Sequence, residues 1–395
     1  MINCEFDRRR FLQWTGASVF AAMSAQLSLE SLTNAAAASP LPAKTPILVL
    51  VTLYGGNDGL NTVVPFTDPH YQRARANIAL SHSQVIPFSD SLAFNSSMPS
   101  INELYRRRKV AIVQGVSYPN PSLSHFSSMA IWQSASLAGL TSGWIGRWLD
   151  KQPHSAFNAI GVGSTLPPAF VGDQTVASMV DVGGIQLPWG PVASVLPRLG
   201  GASSSDVTLE AAAATSINDL FSTASRIGPH IPKSPSGSWI AQQLSLVSAL
   251  INANVPTRVW EVNLSSFDTH TGEVGDQNAL LGEVDTAIGG FMTKISTGKR
   301  AHDVTVMIYS EFGRRVGSNA SDGTDHGTSA PVLLIGNRVK GGLYGEQPSL
   351  KHLDANGNLR VTTDFRSVYG GLLHDVLATP VGDIIPTWKH ALSVH

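Results

Sequence analysis

The stretch "PILVLVTLYGGNDG", Pro46–Gly59, decides how this chain folds. It opens as an unbroken aliphatic run in which only Thr52 is polar before Tyr54. A strand wetted on one face alternates between apolar and polar residues. A strand covered on both faces reads as a continuous run, as strands do in a parallel sheet clad with helices. The run ends at Gly55-Gly56-Asn57-Asp58-Gly59, a sequence of turn formers. In parallel sheets, ligands bind beyond the carboxyl ends of the strands. The polar residues of such turns are therefore the first place to look for function.

Further runs of the same kind are "KVAIVQGVSYP" (109–119), "RVWEVNLSSFD" (258–268), "DVTVMIYSEFG" (303–313) and the short "APVLLIG" (330–336). Helical periods lie between them. Ile240, Leu244, Val247 and Ile251 precede one strand, and Leu281, Val284, Ile288, Phe291 and Ile295 precede another. Alternating strand and helix gives an α/β class with a mostly parallel central sheet. The stretch 155–236 is less regular. Its Gly/Ser/Pro-rich pieces flank one expected helix near 206–226, and it reads as an insertion or cap on a single domain spanning 39–395.

The chain has 395 residues, enough for a large core, and a charged share of only 14%. With a net charge of −1 it has no basic field for nucleic acid. Its single cysteine, Cys4, lies in the leader, so disulfides, thiolate metal sites and cysteine nucleophiles are excluded from the mature chain. That leader, residues 1–38, carries Arg8, Arg9 and Arg10, then a moderately apolar stretch from Phe11 to about Leu27, then Ala35–Ala38 before Pro40. Arg-Arg followed by one residue and Phe-Leu resembles a twin-arginine export signal. The small residues suit a peptidase site. The alternative is an uncleaved amphipathic helix. Gln13, Thr15, Ser18 and Ser24 interrupt the apolar stretch, and no integral membrane span is expected in the mature chain. Export by this route implies the translocation machinery as a partner and a periplasmic or otherwise exported location. "YGGNDG" lacks the G-x-G-x-x-G spacing, so no nucleotide or flavin cofactor is expected.

Each strong strand runs into a polar loop. The first gives Asn57 and Asp58, and the second leads through "SYPNPSLSHF" to Ser124 and His125. The third gives Asp268 and His270, the fourth Ser310, Glu311 and Arg314, and the loop before the last gives Asp325 and His326. Singly, each has a plain explanation. Asp58 is a good turn residue, and Ser124 is a good N-cap for the helix "SHFSSMAIWQSA". Asp268 can cap a turn beside a hydrogen-bonded His270, Glu311 and Arg314 can form a local ion pair, and Asp325 and His326 can be solvated. Together they would converge on one cleft, where gathered carboxylates repel unless a cation neutralises them. Mixed Asp, Glu and His donors suit zinc, manganese or a similar divalent ion. Trp132, Trp144, Trp148 and Trp189 read as core, with polymer binding as the lesser alternative.

"LVTLYGGNDGLNTVVPF", "SYPNPSLSHFSSMAIWQSA", "FDTHTGE", "YSEFGRR" and "GTDHGTSAPVLLIGNRVKGGLYGE" resemble, in order, a twin-arginine-exported bacterial family catalogued as domain of unknown function 1501. That pattern is similar to the alkaline phosphatase and sulfatase superfamily, which implies a three-layer α/β/α sandwich with a metal cleft. The resemblance implies metal ligation by Asp58, Asp268, His270, Glu311 and His326, and Ser124 as nucleophile. Phe312 stands where the superfamily has a histidine, so one metal site is weakened unless Asp325 takes its place. Arg314, or the amides of the Gly55–Gly59 turn, would hold oxygens of the transferred group. Two functions follow: a metal-dependent hydrolase of small anionic phosphate or sulfate esters, or a non-catalytic exported binding or assembly protein with a degraded site.

Overall fold

The structure, a computed structural model of the chain, describes residues 35–138, 140–182 and 237–395. The strands are β1 (Ile47–Leu53), β2 (Val63–Val64), β3 (Val85–Pro87), β4 (Ala93–Asn95), β5 (Val110–Ser117), β6 (Ala159–Val162), β7 (Ser178–Val180), β8 (Val259–Leu264), β9 (Val304–Tyr309), β10 (Ala330–Gly336), β11 (Gly342–Tyr344) and β12 (Thr363–Asp364). The helices are α1 (Pro69–Ala74), α2 (Pro99–Arg106), α3 (His125–Ser134), α4 (Trp144–Leu149), α5 (Trp239–Asn252), α6 (Glu273–Ser296), α7 (Phe365–Asp375) and α8 (Val381–Ile384). The central sheet has the order β11-β5-β10-β9-β1-β8-β6-β7, with β12 also paired to β5, and a small sheet has the order β2-β4-β3.

Strand β1 lies between β8 and β9, parallel to both, and every residue of it is buried. Its alternate side chains build two cores. Ile47, Val49 and Val51 meet Ile240 and Leu244 of α5 and Leu281 and Ile288 of α6. Leu48 and Leu50 point the other way, toward Trp132 of α3, Trp144 and Trp148 of α4 and Tyr369 of α7. Helices on both faces explain the uninterrupted apolar run. The three tryptophans are core residues; Trp132 stacks on Phe365 with ring centroids 4.5 Å apart.

One strand of the central sheet runs against its neighbours: β10 is antiparallel to both β5 and β9. The loop that precedes β10 therefore lies at the same sheet edge as the loops that follow β1, β5, β8 and β9. This reversal is why a residue before its strand can join residues that come after theirs. Of the irregular stretch 155–236, the described part adds β6 and β7 to the edge of the central sheet through parallel pairing with β8. The leader residues 1–34, Trp189 and the helix expected near 206–226 lie outside the described residues. Among the described residues no helix is long and apolar enough to cross a membrane.

An ionisable group sits inside this sheet. Glu261 is on β8 opposite Leu50, buried, with one carboxyl oxygen 3.3 Å from Asn263 Nδ2 and the other without a partner. Burial pushes its pKa up to about 8. The native chain therefore keeps a proton that the unfolded chain loses near its ordinary value of about 4.3. Stability from this group is full below that value and falls as pH rises toward about 8. Urea unfolding should show a loss on the order of a few kcal/mol between pH 5 and pH 8. Glu261→Gln should flatten that slope, and an undiminished slope would assign the loss to other groups.

Candidate metal centre

Beyond the ends of β1 and β8 the two chains stay zipped: Tyr54 N donates to Leu264 O at 2.9 Å, and Phe267 N to Tyr54 O at 3.1 Å. The turn that follows requires glycine. Gly55 has φ +119, and a Cβ there would lie 2.5 Å from Asp268 N. Gly56 has φ +76, and its Cβ would lie 2.4 Å from the Phe312 ring. Under this turn lies the buried guanidinium of Arg314. It donates to Gly56 O (2.7 Å), Thr324 O (2.9 Å), Phe267 O (2.9 Å), Gly55 O and the Asp268 carboxylate (2.6 Å). One side chain thus ties together the loops after β1 and β8 and the loop before β10.

Asp268 is held there with its side chain 46% exposed, and three imidazoles close on it. His270 Nε2 is 3.0 Å and His326 Nε2 3.1 Å from Oδ1, and His125 Nε2 is 3.4 Å from Oδ2. The donor atoms of His125, Asp268 and His326 all lie within 4.8 Å of one another. His270 Nε2 and His326 Nε2 are 3.0 Å apart. For Asp268, burial works upward, but the hydrogen bond and positive charge of Arg314 outweigh it, and the pKa is lowered to about 2.

The outer nitrogens of all three imidazoles are already engaged. His326 Nδ1 donates to Leu123 O at 2.7 Å, which leaves Nε2 with its lone pair toward the cluster. His125 Nδ1 meets Glu311 Oε1 at 2.7 Å, and its Nε2 is buried with no hydrogen-bond partner. His270 Nδ1 is 3.3 Å from Asp325 Oδ1. Metal-binding histidines are oriented in this way by a carbonyl or carboxylate behind them. Lone pairs 3.0 Å apart repel unless a proton or cation lies between them. The edge of a tetrahedral zinc site is about 3.3 Å for Zn–N bonds of about 2.0–2.1 Å. The donor set of His125, Asp268 and His326 therefore has the spacing of a site for a divalent ion, with His270 beside it.

Several expected residues have other placements. Glu311 is buried one step behind the cluster, accepting from Gly55 N at 2.9 Å and Ser310 Oγ at 2.9 Å besides its contact with His125. Asp325 stands at the exposed rim beside His270. Phe312 is a buried apolar floor, its ring 4.8 Å from that of His125 and 4.9 Å from that of His326. Arg314 is spent on backbone carbonyls and Asp268, so it is a staple and not a free cation for a substrate oxygen. Ser124 is the exposed N-cap of α3, and its side chain makes no capping bond. His125, its neighbour, is the residue of the cluster that the resemblance does not mark; its signal in the sequence is the Ser-His pair at the start of α3.

Asp58 is not brought to the cluster. It points the opposite way, into a fully buried pair with Arg75, with Arg75 Nη2 2.9 Å from Oδ1 and a shorter contact from Nη1 to Oδ2. Glu273 completes this group 3.9 Å from Arg75 Nη1, and Thr324 Oγ1 donates to it. Burial raises the Asp58 carboxyl, but Arg75 overrides it and the net direction is down. Burial and the Asp58 charge push Glu273 up, so one proton and one arginine balance two carboxyls. Nothing in the sequence near Asp58 marks Arg75 or Glu273 as its partners.

Residues 207–369 match the model of a family described as a protein of unknown function (DUF1501). That segment carries Asp268, His270, Glu311, Arg314, Asp325 and His326, but neither His125 nor Ser124. No curated protein matches the chain. Solved structures with a similar course of chain include a protein in the alkaline phosphatase superfamily from Vibrio parahaemolyticus, 11% identical, covering 90% of this chain and 76% of that one at a TM-score of 0.41. Murine ectonucleotide pyrophosphatase/phosphodiesterase 5 is 8% identical, covering 88% and 97% at a TM-score of 0.42. The C-terminal periplasmic domain of EcEptC from Escherichia coli, in complex with Zn, is 11% identical, covering 74% and 73% at a TM-score of 0.33. Likeness at this level bears on the course of the chain and carries nothing about chemistry.

The buried Asp58–Arg75–Glu273 group has a direct mutational consequence. Arg75→Met removes the balancing charge and should cost about 3–5 kcal/mol in denaturant unfolding. A loss below about 1 kcal/mol would mean that the pair is not the anchor of this turn.

Proposed function

We propose that this is an exported metal-dependent hydrolase of small phosphate or sulfate esters. The observation that carries the reading is the convergence of His125 Nε2, Asp268 and His326 Nε2 within 4.8 Å, each imidazole backed by an acceptor on its other nitrogen. His270 would be the fourth donor, with Asp325 and Glu311 acting behind His270 and His125. When bound, a divalent ion would supply Lewis-acid polarisation of the ester oxygens and stabilise the charge that develops on them.

The chain's own parts would do the rest. The Ser124 hydroxyl, free of any capping duty, would attack phosphorus or sulfur. A new bond would form from Oγ as the ester bond breaks and the alcohol departs, and water would then hydrolyse the serine ester. Arg314 is unavailable for the equatorial oxygens. The unpaired N–H groups in the first turn of α3, at the positive end of a ten-residue helix, would hold them instead. Phe312 would keep one side of the site dry. The arginine-rich leader supports export by the twin-arginine route, with the translocation machinery as a partner and the periplasm or cell exterior as the place of action.

A second reading is a non-catalytic exported binding or assembly protein on the same scaffold. It is favoured by the full engagement of Arg314 and by Phe312, which among the described residues leave no free side-chain cation or fourth imidazole at the centre.

Kinetics on chromogenic phosphate and sulfate esters, with zinc or manganese supplied, separate the two. The first reading expects turnover that Ser124→Ala lowers on the order of 10³-fold or more with metal content unchanged. Unchanged turnover would remove Ser124 from the mechanism, and no turnover on any ester would favour the second reading. Glu311→Ala should weaken zinc binding in calorimetric titration by about 10–100-fold, through loss of the support behind His125. Unaltered affinity would contradict that role.

A further inference from the structure

A second concavity opens on the same sheet edge. Strands β6 and β8 pair through Ala159–Val259, Ile160–Trp260 and Gly161–Glu261, and then part. Beyond Glu261 this edge of β8 has no strand partner among the described residues. Gln243 of α5 takes its place, donating from Nε2 to Asn263 O at 2.8 Å and accepting from Asn263 N at 3.1 Å. The gap left by the parted strands is a cavity of about 280 Å³. That is close to the lower end of the range for small-molecule pockets, about 300–1,000 Å³.

Its lining is specific in character. Among the described residues it includes Tyr54, Ser164, Thr165, Trp239 and Asn263, and no Asp, Glu, Lys, Arg or His. Trp239, which lines the space, is 42% exposed. Asn263 is fixed at its backbone by Gln243 and at its side chain by Glu261. Tyr54 is fixed by the zipped bonds to Leu264 and Phe267. Two of its lining residues lie close in the chain to residues of the metal centre. Tyr54 lines it while Gly55, the next residue, touches Glu311 and Asp268. Asn263 lines it five residues before Asp268 on the same chain.

We propose that this cavity binds a neutral sugar ring, as part of the ester that the metal centre acts on. The second half of that statement rests on the hydrolase reading; sugar binding itself does not. An indole offers a flat apolar face to the C–H side of a pyranose. An amide, a phenol and two hydroxyls supply donors and acceptors for its hydroxyl groups. A charged group here would be desolvated without an opposite charge, which selects against phosphate, sulfate or amine at this position. The volume fits one ring and not a stretch of polymer. The ester group would then project toward His125, Asp268 and His326, outside the cavity.

The test reads binding without turnover. The full chain is titrated with a panel of neutral methyl glycosides and di- to tetrasaccharides of glucose, galactose and mannose, followed by saturation-transfer NMR. Signals from at least one sugar are expected. Trp239→Ala should weaken binding tenfold or more, and Trp239→Phe should restore part of it. His326→Ala should leave sugar binding intact while lowering metal content, so failure of the metal centre is told apart from failure of the sugar site. Absence of binding to every member of the panel would overturn the proposal. So would binding that Trp239→Ala leaves unchanged, or binding of adenosine in place of any sugar.

Discussion

The arrangement depends on one buried guanidinium. Arg314 reaches from the loop after β9 and donates to carbonyls of the turn after β1, the loop after β8 and the loop before β10, and to the Asp268 carboxylate. These segments are far apart in sequence, and loops at a sheet edge have few other reasons to hold one geometry. A planar, permanently charged donor can satisfy several carbonyls in fixed directions where lysine could not. It orders the backbone that carries Asp268 and lowers the pKa of that carboxyl to about 2. The cluster of imidazoles is built on that ionised carboxylate.

A second buried charge group supports the first from the other side of the turn. Asp58, two residues beyond Gly56, turns away from the cluster and is neutralised by Arg75, with Glu273 close by. Glu273 in turn accepts from Thr324, whose carbonyl receives Arg314. Two arginines therefore grip the Gly55–Asp58 turn from opposite directions, and Gly55 and Gly56 let the backbone pass between them. Buried pairs of this kind contribute little net stability beside an apolar replacement, but losing one partner is costly. Their effect here is to fix the position of the turn.

The fold was legible because its strands are buried on both faces. Ile47–Leu53 and Val304–Tyr309 read as continuous apolar runs, and α5 and α6 carry clear helical periods. Strands β6 and β7, of 4 and 3 residues among glycines and prolines, are too short to leave such a pattern. The site was legible in part. Asp268, His270 and His326 stand at strand ends, which is information a sequence contains. His125 joins the cluster because β5 lies two strands from β9 in the sheet, a neighbourhood no local pattern states. Asp58 was misassigned because its place after β1 was visible but its direction was not: its partner Arg75 comes 17 residues later.

The carboxylate held by Arg314 and the imidazoles around it would form one divalent-metal centre. Elemental analysis of protein purified without added metal, followed by zinc titration of the chelator-treated chain, addresses it most directly. About one divalent ion per chain is expected, lost on His326→Ala with the fold retained. A chain that carries no ion and takes up none in the titration would contradict it.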